Sequence, residues 1–257
     1  MPDKGIQPRM AIDSGEEVHL IYFKPITSNS GNLVYRKLDQ SSGSWSDPVQ
    51  VSSEPYRHLG AISKASIAVD GNGRIHVSWL ALNPFAYRYT RSNTAGTEFE
   101  KERLVVREHL EGVDAEAALA ARDNHVTLAW HAGELIKEDS RVVYAMTSTD
   151  GGGTFGQELV ISDTTLGACA CCGLASLYTD DDRFFVAYRS AIDGKGRHMQ
   201  LIATDPTDSP PTPTTREVSQ WFLETCPVSS NNFALIAAGA SPWLAFETRG
   251  EILLTTA

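Results

Sequence analysis

The segment RIHVSW at residues 74–79 is a short alternating stretch that ends in a tryptophan. Its period of two follows the polar turn DGNG at residues 70–73, which is typical of a half-buried β-strand. The same pattern recurs at four other places, as EVHLIY at 17–22, HVTLAW at 125–130, RFFVAY at 183–188 and PWLAF at 242–246. Five copies of one strand indicate a repeat architecture.

The spacing of the copies predicts the architecture of each repeat. The terminal aromatic residues lie 57, 51, 58 and 58 residues apart, and they are Tyr22, Trp79, Trp130, Tyr188 and Phe246. Each interval has room for four antiparallel strands, such as the later strands at residues 141–145 and 157–161. Four-stranded antiparallel units at this period predict an all-β fold, a β-propeller, because a two-sheet sandwich does not explain five equivalent copies.

The repeats divide the chain into blades. We predict a single β-propeller domain over residues 1–257, with blades at about 9–52, 65–107, 115–162, 174–219 and 233–257. A ring of six such blades needs roughly 340 residues. The expectation is therefore an incomplete six-bladed propeller, an open array, or a five-bladed ring closed by an N-terminal segment.

Composition narrows the classes of partner. The 257 residues are 42% hydrophobic and carry a formal net charge of −10, which gives no basic field for a nucleic acid. The longest apolar stretches are far shorter than the roughly 20 residues that cross a bilayer. Met1 is not followed by an apolar signal core. We expect no nucleic-acid partner and no membrane insertion, while the oligomeric state and the compartment leave no mark on this sequence.

Three of the four cysteines crowd into residues 169–172, and the fourth is Cys226. In a propeller, the loops that lead into each first strand and out of each second strand emerge on one face. Cys169 lies 19 residues before Tyr188 and Cys226 lies 20 before Phe246, so the two hold nearly equivalent positions in neighbouring blades. We therefore predict that Cys226 points toward the other three cysteines.

Other polar residues share these junctions, namely His58, His109, Glu111, Asp114, His131, Arg189, Glu247 and Arg249. Three interpretations of the cysteines stay open. The first is a disulfide from Cys226 to one of the clustered thiols. The second is a Cu or Zn site, with ligands drawn from Cys169, Cys171, Cys172, Cys226, His58, His109 and His131. The third is a set of inert or singly reactive thiols.

Arg189 directly follows a second-strand anchor and is predicted to share one pocket with the cysteines. A guanidinium there offers a planar fork to a carboxylate or a sulfate. A salt bridge to Glu247 or Glu134 is the structural alternative.

Two motifs carry a resemblance to a known family. The segment STDGGGTF at residues 148–155 resembles the Asp-box of sialidase-type propellers. The Cys-x-Cys-Cys sequence at 169–172, together with WFLETCP at 221–227, is similar to a bacterial sialidase-like subgroup. This resemblance implies the propeller fold, a periplasmic or secreted location, and a small molecule or an acidic glycan as partner.

The resemblance also implies candidate catalytic residues. Sialidases hold the substrate carboxylate with three arginines and use a tyrosine nucleophile with a glutamate and an acidic proton donor. The matching types near the junctions are Arg57, Arg189 and Arg249 for the carboxylate, and Tyr188, Glu247 and Asp114 for the chemistry. The Arg-Ile-Pro motif that sialidases carry in the first blade is absent, and QPRM at residues 7–10 resembles it only distantly.

Three functions remain open on the sequence. The chain binds a small ligand or a thiolate-coordinated metal at the Cys/His/Arg cluster, or it is an exo-sialidase-type glycoside hydrolase acting on terminal acidic sugars. The third possibility is a non-catalytic scaffold stapled by disulfides.

Overall fold

The computed structural model describes residues 1–58, 60, 62–204, 212–235 and 239–257. The chain is an all-β, five-bladed propeller of small antiparallel sheets with nearly no helix. The helices in the described residues are two short 3-10 turns, Pro2–Lys4 and Glu138–Ser140. Neither of them has the length or the apolar composition of a membrane span.

The first two blades follow the predicted repeat. Blade 1 has the order β1-β2-β3-β4, with β5 and β6 also paired to β3. Its strands are β1 (Ile6–Ile12), β2 (Val18–Pro25), β3 (Ser30–Asp39), β4 (Ser44–Trp45), β5 (Val49–Gln50) and β6 (Tyr56–Arg57). Blade 2 is four-stranded and consists of β7 (Ser66–Val69), β8 (Ile75–Leu82), β9 (Phe85–Arg91) and β10 (Arg103–Leu104).

The remaining blades repeat the same meander. Blade 3 consists of β11 (Ala118–Arg122), β12 (His125–Ala132), β13 (Val142–Ser148) and β14 (Leu159–Val160). Blade 4 consists of β15 (Ala175–Tyr178), β16 (Phe184–Arg189), β17 (Met199–Thr204) and β18 (Thr214–Ser219). Blade 5 has three described strands, β19 (Asn231–Ala234), β20 (Trp243–Thr248) and β21 (Glu251–Thr256).

The repeated aromatic residues occupy equivalent places. Each lies on the second strand of its blade, and all five side chains are buried, namely Tyr22, Trp79, Trp130, Tyr188 and Phe246. The prediction that they mark five equivalent strands is confirmed. Their burial explains the repeat, because each large ring fills apolar space that only a packed sheet can supply.

The described residues form two compact units. One unit comprises residues 1–107, 119–126 and 147–155, and its core includes Ile21, Tyr35 and Trp79. The other comprises residues 108–118, 127–146 and 156–257, and Phe185 and Leu244 belong to its core. All four cysteines belong to this second unit.

A buried polar pattern repeats in the first two blades. His19 contacts Tyr35 Oη at 2.8 Å and Asp13 at 3.2 Å, and His76 contacts Tyr89 Oη at 2.7 Å and Asp70 at 3.1 Å in the same way. Both ring nitrogens of each histidine therefore have protein partners. This satisfies their hydrogen-bonding capacity and gives His19 and His76 a structural role.

The hairpin at residues 148–155 is held by its aspartate. Asp150 Oδ1 accepts hydrogen bonds from the Ser148 hydroxyl at 2.7 Å and from the Thr154 amide at 2.8 Å. Gly152 has a positive φ of 78°, and a Cβ there would lie 1.7 Å from the Tyr89 hydroxyl oxygen. Glycine is therefore required at this position by both backbone and space. Phe155 packs edge-on against the Tyr89 ring at 4.9 Å.

The hairpin supports a prediction about acid stability. The Ser148 hydroxyl, followed by the Thr154 amide and hydroxyl, holds the pKa of Asp150 well below its usual range. The resulting stabilisation is fully present above the unfolded-state pKa of about 3.9 and is lost as pH falls through the folded-state value. We expect Asp150→Asn to be less stable than the wild type at pH 6, with the difference shrinking between pH 4 and pH 2. Urea unfolding of both proteins across this pH range measures the difference in stability. A stability difference that is independent of pH would contradict the prediction.

Candidate functional site

Two loops of the second unit approach each other just before β15 and β19. The Gly173 amide donates to the Ser229 carbonyl at 3.3 Å, and Asn231 Nδ2 donates to the Gly173 carbonyl at 2.7 Å. These bonds join the segment that carries Cys169–Cys172 to the segment that carries Cys226. The two junctions, which the spacing predicts to be equivalent, are therefore in direct contact through hydrogen bonds.

The four cysteines form one cluster. Cys171 and Cys226 are joined by a disulfide across 55 residues, with their Cα atoms 6.8 Å apart. Cys169 Sγ lies 3.1 Å from Cys172 Sγ, 3.7 Å from Cys226 Sγ and 3.9 Å from Cys171 Sγ. All four sulfur atoms lie within 4.8 Å of one another. The prediction that Cys226 points toward the other cysteines is confirmed, and of the three open interpretations the disulfide describes the Cys171–Cys226 pair in this structure.

The cluster has a half-exposed side and a buried side. Cys171 and Cys226 are half-buried, whereas Cys169 and Cys172 are each only 2% exposed and carry no disulfide. Solvent therefore reaches the disulfide more readily than the two thiols.

Arg189 adjoins the buried side, which confirms its predicted proximity to the cysteines. The Arg189 carbonyl accepts a hydrogen bond from the Cys169 amide at 2.8 Å. Its Nε donates to the Ser229 hydroxyl at 2.5 Å, and that hydroxyl in turn donates to Cys172 Sγ at 3.6 Å. Hydrogen bonds therefore link the Arg189 guanidinium to the Ser229 hydroxyl, and that hydroxyl to Cys172 Sγ.

The same contacts control the ionisation of the two thiols. The hydrogen bond from Cys169, with further help from Ser229 and the charge of Arg189, lowers the pKa of Cys172. Sharing that hydrogen bond, together with burial, raises the pKa of Cys169. Of these two thiols, Cys172 is therefore the one that ionises more readily.

A second buried arginine braces the cysteine loop. Arg197 is 4% exposed, and its Nη1 lies 2.7 Å from Glu138 Oε2. The other oxygen of Glu138 accepts the Ala170 amide at 3.2 Å. The Arg197 carbonyl accepts Nη1 of Arg189 at 2.7 Å. The ion pair therefore fixes the loop and positions Arg189.

The three candidate histidines do not join the sulfur cluster. Among the described residues, the group of ligand atoms at the cysteines contains the four sulfurs alone. His109 Nδ1 lies 3.0 Å from Glu158 and its ring packs against Tyr144, while His131 Nε2 lies 3.5 Å from Asp114. His58 belongs to the first unit, where its Nδ1 accepts the Gly60 amide at 3.0 Å.

The residues implied by the family resemblance have varied surroundings. Arg189 is 1% exposed and also donates to the Glu247 carbonyl, so its guanidinium is fully engaged within the protein. Tyr188 is buried, and burial raises its pKa. Arg249 is exposed and donates to the Gln220 carbonyl at 2.8 Å, and Arg57 is exposed in the first unit.

Comparisons with known proteins support the fold. A protein of unknown function from Dyadobacter fermentans has a TM-score of 0.65 at 13% identity, covering 98% of this chain and 79% of that one. An ulvan lyase bound to a GlcA(1-4)Rha3S saccharide has a TM-score of 0.55 at 13% identity, with coverage of 98% and 72%. A Hadza microbial sialidase has a TM-score of 0.53 at 14% identity, with coverage of 93% and 54%.

At these identities the similarity establishes the propeller fold alone. Structural neighbours of the chain include glycoside hydrolases and lyases. No family model and no curated protein matches the sequence.

Proposed function

We propose that the protein is a metal-binding β-propeller that holds one thiophilic ion, Cu(I) or Zn(II), between its four cysteines when these are reduced. The observation that carries this proposal is the convergence of all four sulfur atoms within 4.8 Å. A tetrahedral zinc site with Zn–S bonds of about 2.3 Å separates its sulfurs by about 3.8 Å. The distances of 3.7 and 3.9 Å from Cys169 Sγ to Cys226 and Cys171 lie close to that value.

The surroundings of the sulfurs suit thiolate ligands. The Ser229 hydroxyl donates to Cys172 Sγ, and the Val228 amide donates to Cys226 Sγ at 3.3 Å. Such donors stabilise negative charge on sulfur and orient the ligands. The buried Arg189 and Arg197 lie near Cys172 and Cys169 and offset the charge of a four-thiolate site. Thiolates select Cu(I) and Zn(II) over hard cations.

Reduction is a requirement of this proposal, because a disulfide sulfur does not supply a thiolate. The protein is reduced with a phosphine under nitrogen and titrated with Zn(II) or Cu(I) against a chromophoric chelator. We expect one ion per chain. We expect Ser229→Ala to weaken binding by about 10- to 100-fold, as loss of an outer hydrogen bond does. Cys172→Ser removes a ligand and is expected to weaken binding further.

His109→Ala is the matched control, because His109 lies in the same unit and was a candidate ligand on the sequence. It is expected to leave affinity unchanged. Equal affinity in the wild type and in Cys172→Ser would contradict the proposal, as would an absence of binding to the fully reduced wild type.

The alternative function is that of an exo-sialidase-type hydrolase acting on an acidic glycan. It requires an accessible tyrosine nucleophile and free guanidinium groups. The burial of Tyr188 and the internal hydrogen bonds of Arg189 favour the metal site over this reaction. Release of fluorophore from a sialoside by the wild type, and its loss in Glu247→Gln, would favour the hydrolase.

A scaffold role rests on the Cys171–Cys226 disulfide and implies that neither metal nor glycan binds.

A further inference from the structure

Blades 1 to 3 each carry one aromatic residue after the turn between their third and fourth strands. In blade 2 it is Phe99, whose ring lies 5.8 Å from the Tyr35 ring of the preceding blade. In blade 3 it is Phe155, which lies 4.9 Å from the Tyr89 ring in the same way. Blade 1 has Trp45 at this place, and among the described residues no aromatic ring packs against it.

Trp45 forms part of the wall of an open pocket instead. The residue is half-buried, and its inner side packs on the core residues Leu20, Tyr22 and Val34. The pocket has a volume of about 560 Å³ and lies between the turn at residues 15–17, the end of β3 and the following hairpin. This volume is within the range of about 300 to 1,000 Å³ that is typical of small-molecule sites.

We propose that this pocket, called the Trp45 pocket below, binds one neutral sugar residue of a glycan. All its lining residues belong to the first unit, whereas the four cysteines belong to the second. The proposal therefore does not rest on the metal-binding function proposed above.

The indole of Trp45 suits a pyranose ring. In the described part of the chain, Trp45 Nε1 donates no hydrogen bond to a protein acceptor, and it is not a buried atom. An indole combines a large apolar face with one polar N–H group. A pyranose matches it, because its C–H face packs on an aromatic ring while its hydroxyl groups point outward and accept from such a donor.

The rest of the pocket wall suits hydroxyl groups. Apart from Trp45 and Leu38, the side chains that line the pocket are polar. Lys37 Nζ contacts Glu17 Oε2, so an ammonium and a carboxylate lie side by side. Two neighbouring sugar hydroxyls can accept from the first and donate to the second, because each hydroxyl is both a donor and an acceptor. A wall of this composition favours a sugar over an apolar side chain.

The charges of the pocket favour a neutral sugar. The lining groups with charge are three carboxylates and one ammonium, namely Glu16, Glu17, Asp39 and Lys37. An anionic sugar is repelled by this excess of negative charge. A cation is not required either, because Lys37 offsets Glu17, and Asp39 Oδ1 accepts the Ser41 hydroxyl at 2.6 Å.

The hairpin that carries Trp45 is held in place before any ligand binds. The Gly43 amide donates to the Asp39 carbonyl at 2.8 Å, and Gly43 has a φ of 68°, which closes the turn. The Ser46 amide donates to the Lys37 carbonyl at 2.8 Å, and the Lys37 amide donates to Ser46 Oγ at 3.0 Å. Binding therefore requires little ordering of this loop, which favours affinity.

The first experiment observes Trp45 directly by NMR. The chain has five tryptophans, so protein labelled with ¹⁵N at the indole nitrogen gives five indole N–H signals, and Trp45→Phe identifies the one from Trp45. The probes are the methyl glycosides of glucose, galactose and mannose, with the methyl glycoside of sialic acid and choline as charged controls. We expect at least one neutral glycoside to shift the Trp45 signal saturably and to leave the signal of Trp243, which is 36% exposed, unchanged.

Two results of this titration would overturn the proposal. One is a Trp45 signal that none of the three neutral glycosides shifts. The other is a Trp45 signal that the sialic acid glycoside or choline shifts more strongly than any neutral glycoside does.

The second experiment measures the affinity of folded variants for the glycoside that binds. Lys37→Met is expected to weaken binding by about tenfold or more, because a charged donor to a hydroxyl is lost. Trp45→Phe keeps an aromatic face and loses the N–H donor, so a smaller loss of about threefold is expected. Lys195→Met is the matched control, because Lys195 is an exposed lysine that pairs with Glu224 at 3.1 Å in the second unit.

Lys195→Met is expected to bind as the wild type does. Circular dichroism establishes that the variants are folded. Wild-type affinity in both Lys37→Met and Trp45→Phe would overturn the proposal, as would an equal loss in Lys195→Met and Lys37→Met.

Discussion

Replacing Arg189 by methionine is expected to lower the free energy of unfolding by about 3 to 5 kcal/mol, because three neutral acceptors lose their donor at a cost of about 1 to 3 kcal/mol each. Arg189 is 1% exposed and donates to the Ser229 hydroxyl and to the carbonyls of Arg197 and Glu247. The substitution leaves these three acceptors buried without their donor. Loss of the contact between the guanidinium and the Trp221 ring, at 4.9 Å, adds to the cost.

Arg183→Met is the matched control, because Arg183 lies just before the strand that ends at Arg189. Its side chain is 41% exposed and pairs with Asp181 at 3.0 Å. A surface pair of this kind contributes about 0 to 1 kcal/mol. Urea denaturation of both variants measures the difference. Similar losses for Arg183→Met and Arg189→Met would show that the Arg189 network does not stabilise the fold.

Cys226→Ser is expected to lower the free energy of unfolding of the oxidised protein by about 2 to 4 kcal/mol, because the Cys171–Cys226 bond closes a long loop in the unfolded chain. This loss of stability is expected to come from the missing covalent bond and not from the change of side chain. Under reducing, metal-free conditions the variant and the wild type are therefore expected to unfold at similar urea concentrations.

A double-mutant comparison separates the bond from local packing. The Cys171→Ser, Cys226→Ser double variant removes the same bond as Cys226→Ser, so its stability is expected to match that of the single variant rather than fall by twice as much. Additive losses, or an undiminished effect in the reduced protein, would assign the cost to side-chain packing.

The repeat carried much of the information about the fold. Aromatic residues at matching intervals identified the second strand of every blade, because a repeated unit places equivalent residues at equivalent positions. The same reasoning predicted that Cys169 and Cys226 meet, since they precede their anchors by 19 and 20 residues. The spacing does not distinguish which of the clustered cysteines bonds to Cys226, because loop conformation decides that the partner is Cys171.

The residues that hold the cysteine loop and Arg189 in place show no repeat pattern in the sequence. Glu138 begins the short 3-10 turn Glu138–Ser140 between β12 and β13, and Arg197 and Ser229 lie in loops without periodicity. Their roles arise from long-range packing, with Glu138 reaching the Ala170 amide across 32 residues. Positional equivalence likewise did not fix side-chain direction, and His109 turns toward Glu158 instead of the sulfurs.

The metal site is the central claim, and X-ray absorption at the metal edge tests it most directly. The measurement uses the reduced wild-type protein loaded with one equivalent of Zn(II). Four sulfur neighbours at about 2.3 Å are predicted, because Cys169, Cys171, Cys172 and Cys226 are the proposed ligands. A first shell made mainly of nitrogen or oxygen would contradict the claim and place the bound zinc elsewhere on the protein.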